Sequence, residues 1–186
     1  MGYFPVDKSL QPYDDSYFDK YEAYSETDLG HRITGARCSL VDSFYGGPLV
    51  DVGIGCGQFV KTRPLTWGYD VCRKAVDWLH ERKKWNNPYL RPTQAISCWD
   101  SLEHIAEPSN LLSNVTEWVF VSLPIFWNIE HILRSKHFRR DEHFWYWTEQ
   151  GFKNWMKEHG FECRHHSEIE TKLGREDIHS FVFKRI

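Results

Sequence analysis

The chain has 186 residues, 41% of them hydrophobic and 26% charged, and a formal net charge of −3. That length holds one domain with a substantial core, the composition is globular rather than disordered, and the charge excludes a general electrostatic attraction for nucleic acid, leaving only a local basic patch to supply one. Five cysteines without a CxxC pair argue against a disulfide framework or zinc–thiolate site and suit a reducing, cytoplasmic setting, and no apolar run is long enough to span a bilayer.

Residues 1–28 are polar, Tyr-rich and interrupted by Pro5 and Pro12, which predicts an irregular arm with a short helix near Asp15–Tyr24. A helix is expected over Asp28–Phe44, with Leu29, Ile33, Leu40 and Val41 on one side, stopped by Gly46-Gly47-Pro48. Residues 48–52 form a short apolar run leading into glycines, the pattern of a buried parallel strand. A helix start follows at Gln58–Arg63, a strand at Leu65–Tyr69 ending in Asp70, and an amphipathic helix over Arg73–Lys84. Residues 85–93 carry two prolines and read as irregular. Further elements are a strand at Gln94–Cys98, a short helix at Pro108–Val115 and a strand at Glu117–Leu123. Residues 125–147, rich in His and aromatics, form an insertion too long for a plain connector. Thr148 caps a helix to His159, stopped by Gly160. Strands at Phe161–Thr171 and Ile178–Arg185 close the chain around a turn at Gly174. The alternation predicts one α/β domain over 1–186: a Rossmann-like, doubly wound, mostly parallel sheet with an antiparallel C-terminal edge hairpin. Residues 1–45 are its N-terminal arm and helix, and 125–147 a lid-like insertion.

The chemistry centres on Asp51-Val52-Gly53-Ile54-Gly55-Cys56-Gly57. Glycines directly after a buried strand permit positive φ and let a ligand approach the backbone. The dinucleotide pattern G-x-G-x-x-G fails in both registers, because its third position falls on Gln58 or Val60. Asp51 beside the loop would repel a pyrophosphate, whereas it favours the sulfonium and ammonium of S-adenosylmethionine (SAM). Asp70, at the end of the next strand, is placed to accept from both ribose hydroxyls. Each Asp taken alone could equally be a turn residue or helix cap.

LVDVGIGCGQFV (49–60) resembles motif I of class I SAM-dependent methyltransferases, and GYDVCRKAVDWL (68–79) their ribose-binding segment. SCWDSLEHIAEP (97–108), WVFVSLPIFWN (118–128) and HFWYWTEQGFKNWMKEHGFE (143–162) are similar to later segments of a small ubiquinone-biosynthesis-like subgroup, of the methyltransferase domain 23 type, found in bacterial and phage genomes. The resemblance implies SAM as cofactor and S-adenosylhomocysteine as product. It implies a cofactor site built from Asp51, Gly53, Gly55, Gly57, Asp70, Val71, Trp99, Asp100 and Tyr17, with Asp100 near the methionine end. One departure stands out: only about ten residues separate the 73–84 helix from the next strand, where the family has another strand and helix. The third-strand region is therefore shortened, and the partner of the adenine amine cannot be named.

Methyl transfer requires nucleophile, methyl and sulfur held in line, and a base only if the acceptor must lose a proton. Candidate catalytic groups are Glu103, His104 and His143, with His143 the preferred acceptor-side base; each also has a bland reading as a structural residue. His131, His137 and His143 match no compact metal-ligand spacing, so no metal is expected and the insertion reads as a His-rich lid. Tyr13, Tyr17 and Tyr21 form one helical stripe that either packs on the sheet or closes over SAM. The expected acceptor is a small molecule, with no membrane involvement. The alternatives are a nucleic-acid base or modified-nucleotide methyltransferase, for which Arg134, Lys136, Arg139 and Arg140 would supply a basic stretch, and a SAM-binding protein without catalysis.

Overall fold

The computed structural model describes residues 2–6 and 15–186. In chain order it forms β1 (Gly2–Tyr3), α1 (Asp15–Ser25), α2 (Asp28–Asp42), β2 (Leu49–Val52), α3 (Gln58–Thr62), β3 (Thr66–Tyr69) and α4 (Arg73–Glu81). Then come β4 (Thr93–Trp99), a 3-10 turn at Leu102–His104, α5 (Pro108–Leu112), β5 (Val115–Pro124), α6 (Ile129–Arg134) and β6 (Trp145–Tyr146). The chain ends with α7 (Glu149–Glu158), β7 (Phe161–Ser167), α8 (Ile169–Lys172) and β8 (Ile178–Arg185). The caps are those the residue types dictate: Thr27 accepts from the Gly30 amide at 3.0 Å to start α2, and Thr148 from the Gly151 amide at 3.1 Å to start α7.

Six strands pair in the order β3-β2-β4-β5-β8-β7. The first four are parallel, and β8 runs antiparallel to both β5 and β7. This is the doubly wound sheet with an antiparallel edge that the alternation of elements predicts. Helices cover both faces. Phe152, Trp155 and Met156 of α7 pack with Val119 and Val121 of β5 and with Phe181 and Phe183 of β8 on one side. Val41 of α2 and Phe59 of α3 pack with Leu49, Ala95, Phe120 and Val182 on the other. Phe152 meets Phe181 and Phe183 edge-on at 5.2 and 5.3 Å between centroids, and truncating such a buried ring costs about 3–5 kcal/mol. The shortened third-strand region is a single parallel bridge between Trp85 and Gly68 beyond β3, fixed by Gly68 N–H to Lys84 O and Asn86 N–H to Gly68 O, both 2.9 Å.

Several boundaries differ from the sequence expectation. The buried face of α2 is Gly30, Ile33, Thr34 and Val41 rather than the stripe through Leu29 and Leu40; Gly30, Ile33 and Thr34 of it border a cavity. Val115 opens β5 instead of closing a helix. The strand expected over 161–171 stops at Ser167, and α8 follows, since turning Glu170 inward lets it meet two arginines described below. Within 125–147 lie α6 and β6, and β6 pairs antiparallel with β1, so the N-terminal residues anchor on the insertion. Phe4 packs there edge-on against Tyr146, 5.4 Å between centroids.

Candidate active site

At the carboxyl ends of β2, β3 and β4 the strands splay from the loops that follow, and a cavity of about 320 Å³ opens there. That size suits a small organic ligand, and the place is where parallel α/β sheets bind ligands. The glycine loop forms one wall. Gly53, Gly55 and Gly57 all take positive φ, at 80°, 56° and 78°. At Gly53 an added Cβ would stand 2.6 Å from the Ser101 Cβ, and at Gly57 2.6 Å from the Trp78 ring, whereas at Gly55 the nearest atom is Tyr21 Cγ at 3.5 Å. Gly53 and Gly57 therefore serve close packing, and Gly55 keeps the cavity wall free of a side chain. Gly57 also opens α3 and does not itself line the cavity.

Asp51 and Asp70 both line the cavity. Asp51 is buried, 1% exposed, and Ser97 Oγ donates to it at 2.6 Å. Burial pushes its carboxyl up to about 7, against the pull of the Ser97 bond and the Arg37 charge. A cation beside it would restore its charge. Asp70 accepts from the Cys72 amide at 2.8 Å. Burial raises its carboxyl, while the amides of Cys72, Val71, Ile54 and Gly55 oppose that shift. It thus holds the turn that leads into α4, whose N-cap is Cys72, and also faces the cavity. Val71 stands at the rim, 69% exposed. Tyr89, from the segment that replaces the family's third strand and helix, lines the same end and meets Tyr69 at 5.4 Å.

The other end is a buried ionic cluster. Asp100 takes a left-handed backbone, φ 55°, a conformation that Asp tolerates better than most residues. Its carboxylate accepts from Arg37 Nη2 at 2.9 Å and Arg175 Nη1 at 2.7 Å. Although burial acts against its charge, the two guanidiniums hold its carboxyl down at about 2. Glu170, fully buried, takes Arg37 Nε at 2.8 Å, Arg37 Nη2 at 2.9 Å, Arg175 Nη1 at 2.5 Å and Ser122 Oγ at 2.7 Å. Two cations and two anions interlock α2, the end of β4 and the turn after α8. Arg37 also stacks 5.1 Å over Trp99, which lines the floor.

The three candidate catalytic residues come together beside this cluster. His104 lines the cavity; Glu103 and His143 do not. His143 lies behind His104, their rings edge to face at 4.5 Å. Burial lowers His104 to about 4 and, helped by the neighbouring His104, lowers His143 to about 2. Both are therefore neutral at pH 7, able to accept a proton though only weakly basic. Burial, reinforced by Asp100, pushes the Glu103 carboxyl well up. Glu103 Oε2 and His143 Nδ1 are buried with no hydrogen-bond partner. One ligand atom from each of Glu103, His104 and His143 falls within 4.8 Å of the others, a donor set with the chemistry to hold a divalent cation.

The histidines singled out by their spacing diverge instead. His131 pairs with Asp177 at 3.1 Å and His137 Nε2 meets Glu176 O at 2.9 Å, while the insertion contributes no residue to the cavity lining among the described residues. Of the tyrosine stripe, Tyr21 lines the cavity together with Tyr24; Tyr13 and the Tyr17 side chain lie outside the described residues. Sequence reasoning missed Arg37, Glu170, Arg175 and Tyr89. Arg37 alone left a signal, an arginine on the inward face of a helix at 33, 34, 37 and 41.

A family model described as "Methyltransferase domain" matches residues 21–166. No curated protein is similar in sequence. Among solved structures, the chain resembles magnesium protoporphyrin IX methyltransferase (ChlM) from Synechocystis with bound S-adenosylhomocysteine, with TM-score 0.67 at 13% identity over 92% of this chain and 95% of that one. It resembles a possible histamine N-methyltransferase from Thermotoga maritima, with TM-score 0.64 at 12% identity over 91% and 96%. The methyltransferase domain of bacterial CtHen1-C gives TM-score 0.58 at 18% identity over 85% and 99%. At such identities these likenesses are of fold.

Proposed function

The chain belongs to the methyltransferase-domain family, and from that premise we propose that it transfers a methyl group from SAM to a small-molecule acceptor. The observation that carries the reading is the cavity over the glycine loop, with buried Asp51 at one strand end and Asp70 at the next. Asp51 favours the cationic methionine end of SAM, and Asp70 takes the ribose hydroxyls. Val71, Tyr69 and Tyr89 offer apolar surface to the adenine, and Gly55 leaves the path open. The lining of the same cavity also includes Tyr21, Tyr24, His104 and Arg175, which would face a small acceptor. SAM supplies the activated methyl; the chain's residues position the acceptor, exclude water and, at His104 Nδ1 or Nε2, take up a proton where the acceptor must lose one.

Two features weigh against a nucleic-acid acceptor. The net charge is −3, and two of the basic residues of the insertion are already paired, Lys136 with Glu176 at 3.2 Å and Arg139 with Glu142 at 2.9 Å. The test is S-adenosylhomocysteine release from SAM across panels of small phenols, amines and carboxylic acids, with oligonucleotides in parallel. Turnover on a small acceptor supports the reading; turnover on oligonucleotides alone overturns the acceptor class. SAM binding without turnover on any panel member favours a non-catalytic SAM-binding protein.

A further inference from the structure

Away from the cavity, a second group of side chains converges where α7 meets the C-terminal hairpin. Glu149 opens α7, His166 stands on β7 and His179 on β8. His166 Nε2 and His179 Nδ1 are 2.9 Å apart, and His166 Nδ1 lies 3.3 Å from Glu149 Oε1. One ligand atom from each of the three falls within 4.8 Å of the others. We infer that Glu149, His166 and His179 form a site for a first-row divalent cation such as zinc, clipping the first turn of α7 to the β7–β8 hairpin.

The chemistry of the donors supports this. Two imidazoles and a carboxylate suit zinc and its neighbours in the first transition row rather than magnesium or calcium. The two rings share a hydrogen bond, and a cation bound between them would take the place of its proton. Nitrogens that share a tetrahedral zinc at about 2.0–2.1 Å stand about 3.3–3.4 Å apart, so the pair would open slightly to chelate; since His166 meets His179 through Nε2 and Glu149 through Nδ1, the Glu149 carboxylate would swing toward the Nε2 side. The His166 ring is held in place by stacking on Phe181, 4.6 Å between centroids at 13°. The donors come from three elements, so an ion there would tie the first turn of α7 to strands β7 and β8, which already pair through their backbones. The side chains of His166 and Glu149 are 20% and 43% exposed, which leaves an entry path from solvent. A built-in competitor is Lys153, whose ammonium is ion-paired with Glu149. The site is independent of the methyl-transfer reading, and its failure leaves that reading untouched.

The test is calorimetric titration of the metal-free protein with zinc, with Glu103→Gln/His143→Ala as a control that removes the other donor set. Both the wild type and this control are expected to take up zinc at the hairpin site. His166→Ala and His179→Ala should each weaken that equivalent about tenfold or more, while Lys153→Ala should tighten it about two- to fivefold by removing the competing charge. Nitrogen-15 spectra of the wild-type imidazoles give a second readout that needs no mutation: zinc should shift the His166 and His179 ring resonances together. The inference is overturned if the wild type takes up no zinc, if those rings do not respond, or if both histidine variants bind as the wild type does.

Discussion

Glu170 is the residue on which the floor of the cavity depends, and Glu170→Gln is the sharpest test of that arrangement. The carboxylate is fully buried and accepts four hydrogen bonds, three from arginines and one from Ser122. The amide keeps the shape but removes the charge and turns one end from acceptor to donor, facing N–H groups. Arg37 and Arg175 would then share Asp100 alone. Removing one partner of a buried ionic cluster costs about 3–5 kcal/mol. The two arginine side chains keep 14% and 22% exposure, so water relieves part of the strain and the expected loss is about 3 kcal/mol. With a urea m-value of about 1–3 kcal/mol/M, the unfolding midpoint followed by tryptophan fluorescence should fall by about 1–3 M. Replacing Arg37 and Glu170 together by Met should recover part of the loss, because the remaining Arg175–Asp100 pair is neutral and no acid is left unpaired. A Glu170→Gln protein within about 1 kcal/mol of the wild type would refute the view that this cluster holds α2 and the end of β4 together.

Other outcomes follow from the same geometry. Asp70→Ala should weaken SAM binding by about 1.5–3 kcal/mol through lost charge-assisted hydrogen bonds, read by calorimetry; unchanged affinity would remove the ribose assignment. Gly55→Val places a branched side chain at φ 56° beside Tyr21 and should abolish SAM binding in a protein that circular dichroism shows to be folded. Asp51 has its folded pKa raised from 3.8 to about 7, so the native state holds the extra proton and thermal stability should fall as pH rises from about 4 to about 7; Asp51→Asn should flatten that slope. For the same reason SAM affinity should rise with pH through about 7, since the ionised carboxylate attracts the cationic ligand. His104→Ala should lower kcat about 10²–10⁴-fold if the acceptor loses its proton to this imidazole, with little change in SAM affinity; an unchanged kcat would assign His104 a packing role.

The parts of this fold legible in the sequence are those set by local pattern. The apolar run before Asp51, the capping threonine at 148 and the glycine stop at 160 all produced their elements, because backbone period and capping act over a few residues. The glycine loop was legible because positive φ leaves a signature in residue type. What escaped depends on chain segments far apart in sequence. Arg37 is 133 residues from its partner Glu170, and no local pattern marks a carboxylate that will be buried against an arginine. The expected strand over 161–171 erred at the point where Glu170 turns inward, a tertiary demand that overrode β periodicity. Likewise the even spacing of His131, His137 and His143 carried no shared geometry: each found a different partner, and His143 met Glu103 and His104 from another part of the chain. Tyr89 was hidden in a proline-bounded segment whose role becomes visible only once the third strand is seen to be a single bridge.

Calorimetric titration of the purified protein with SAM, S-adenosylhomocysteine and NAD tests the central claim most directly. The account predicts saturable binding of the first two at one equivalent and none of NAD, because Asp51 and the spacing of Gly53, Gly55 and Gly57 favour a cationic sulfonium ligand over a pyrophosphate. Binding of NAD, or of none of the three, would contradict it.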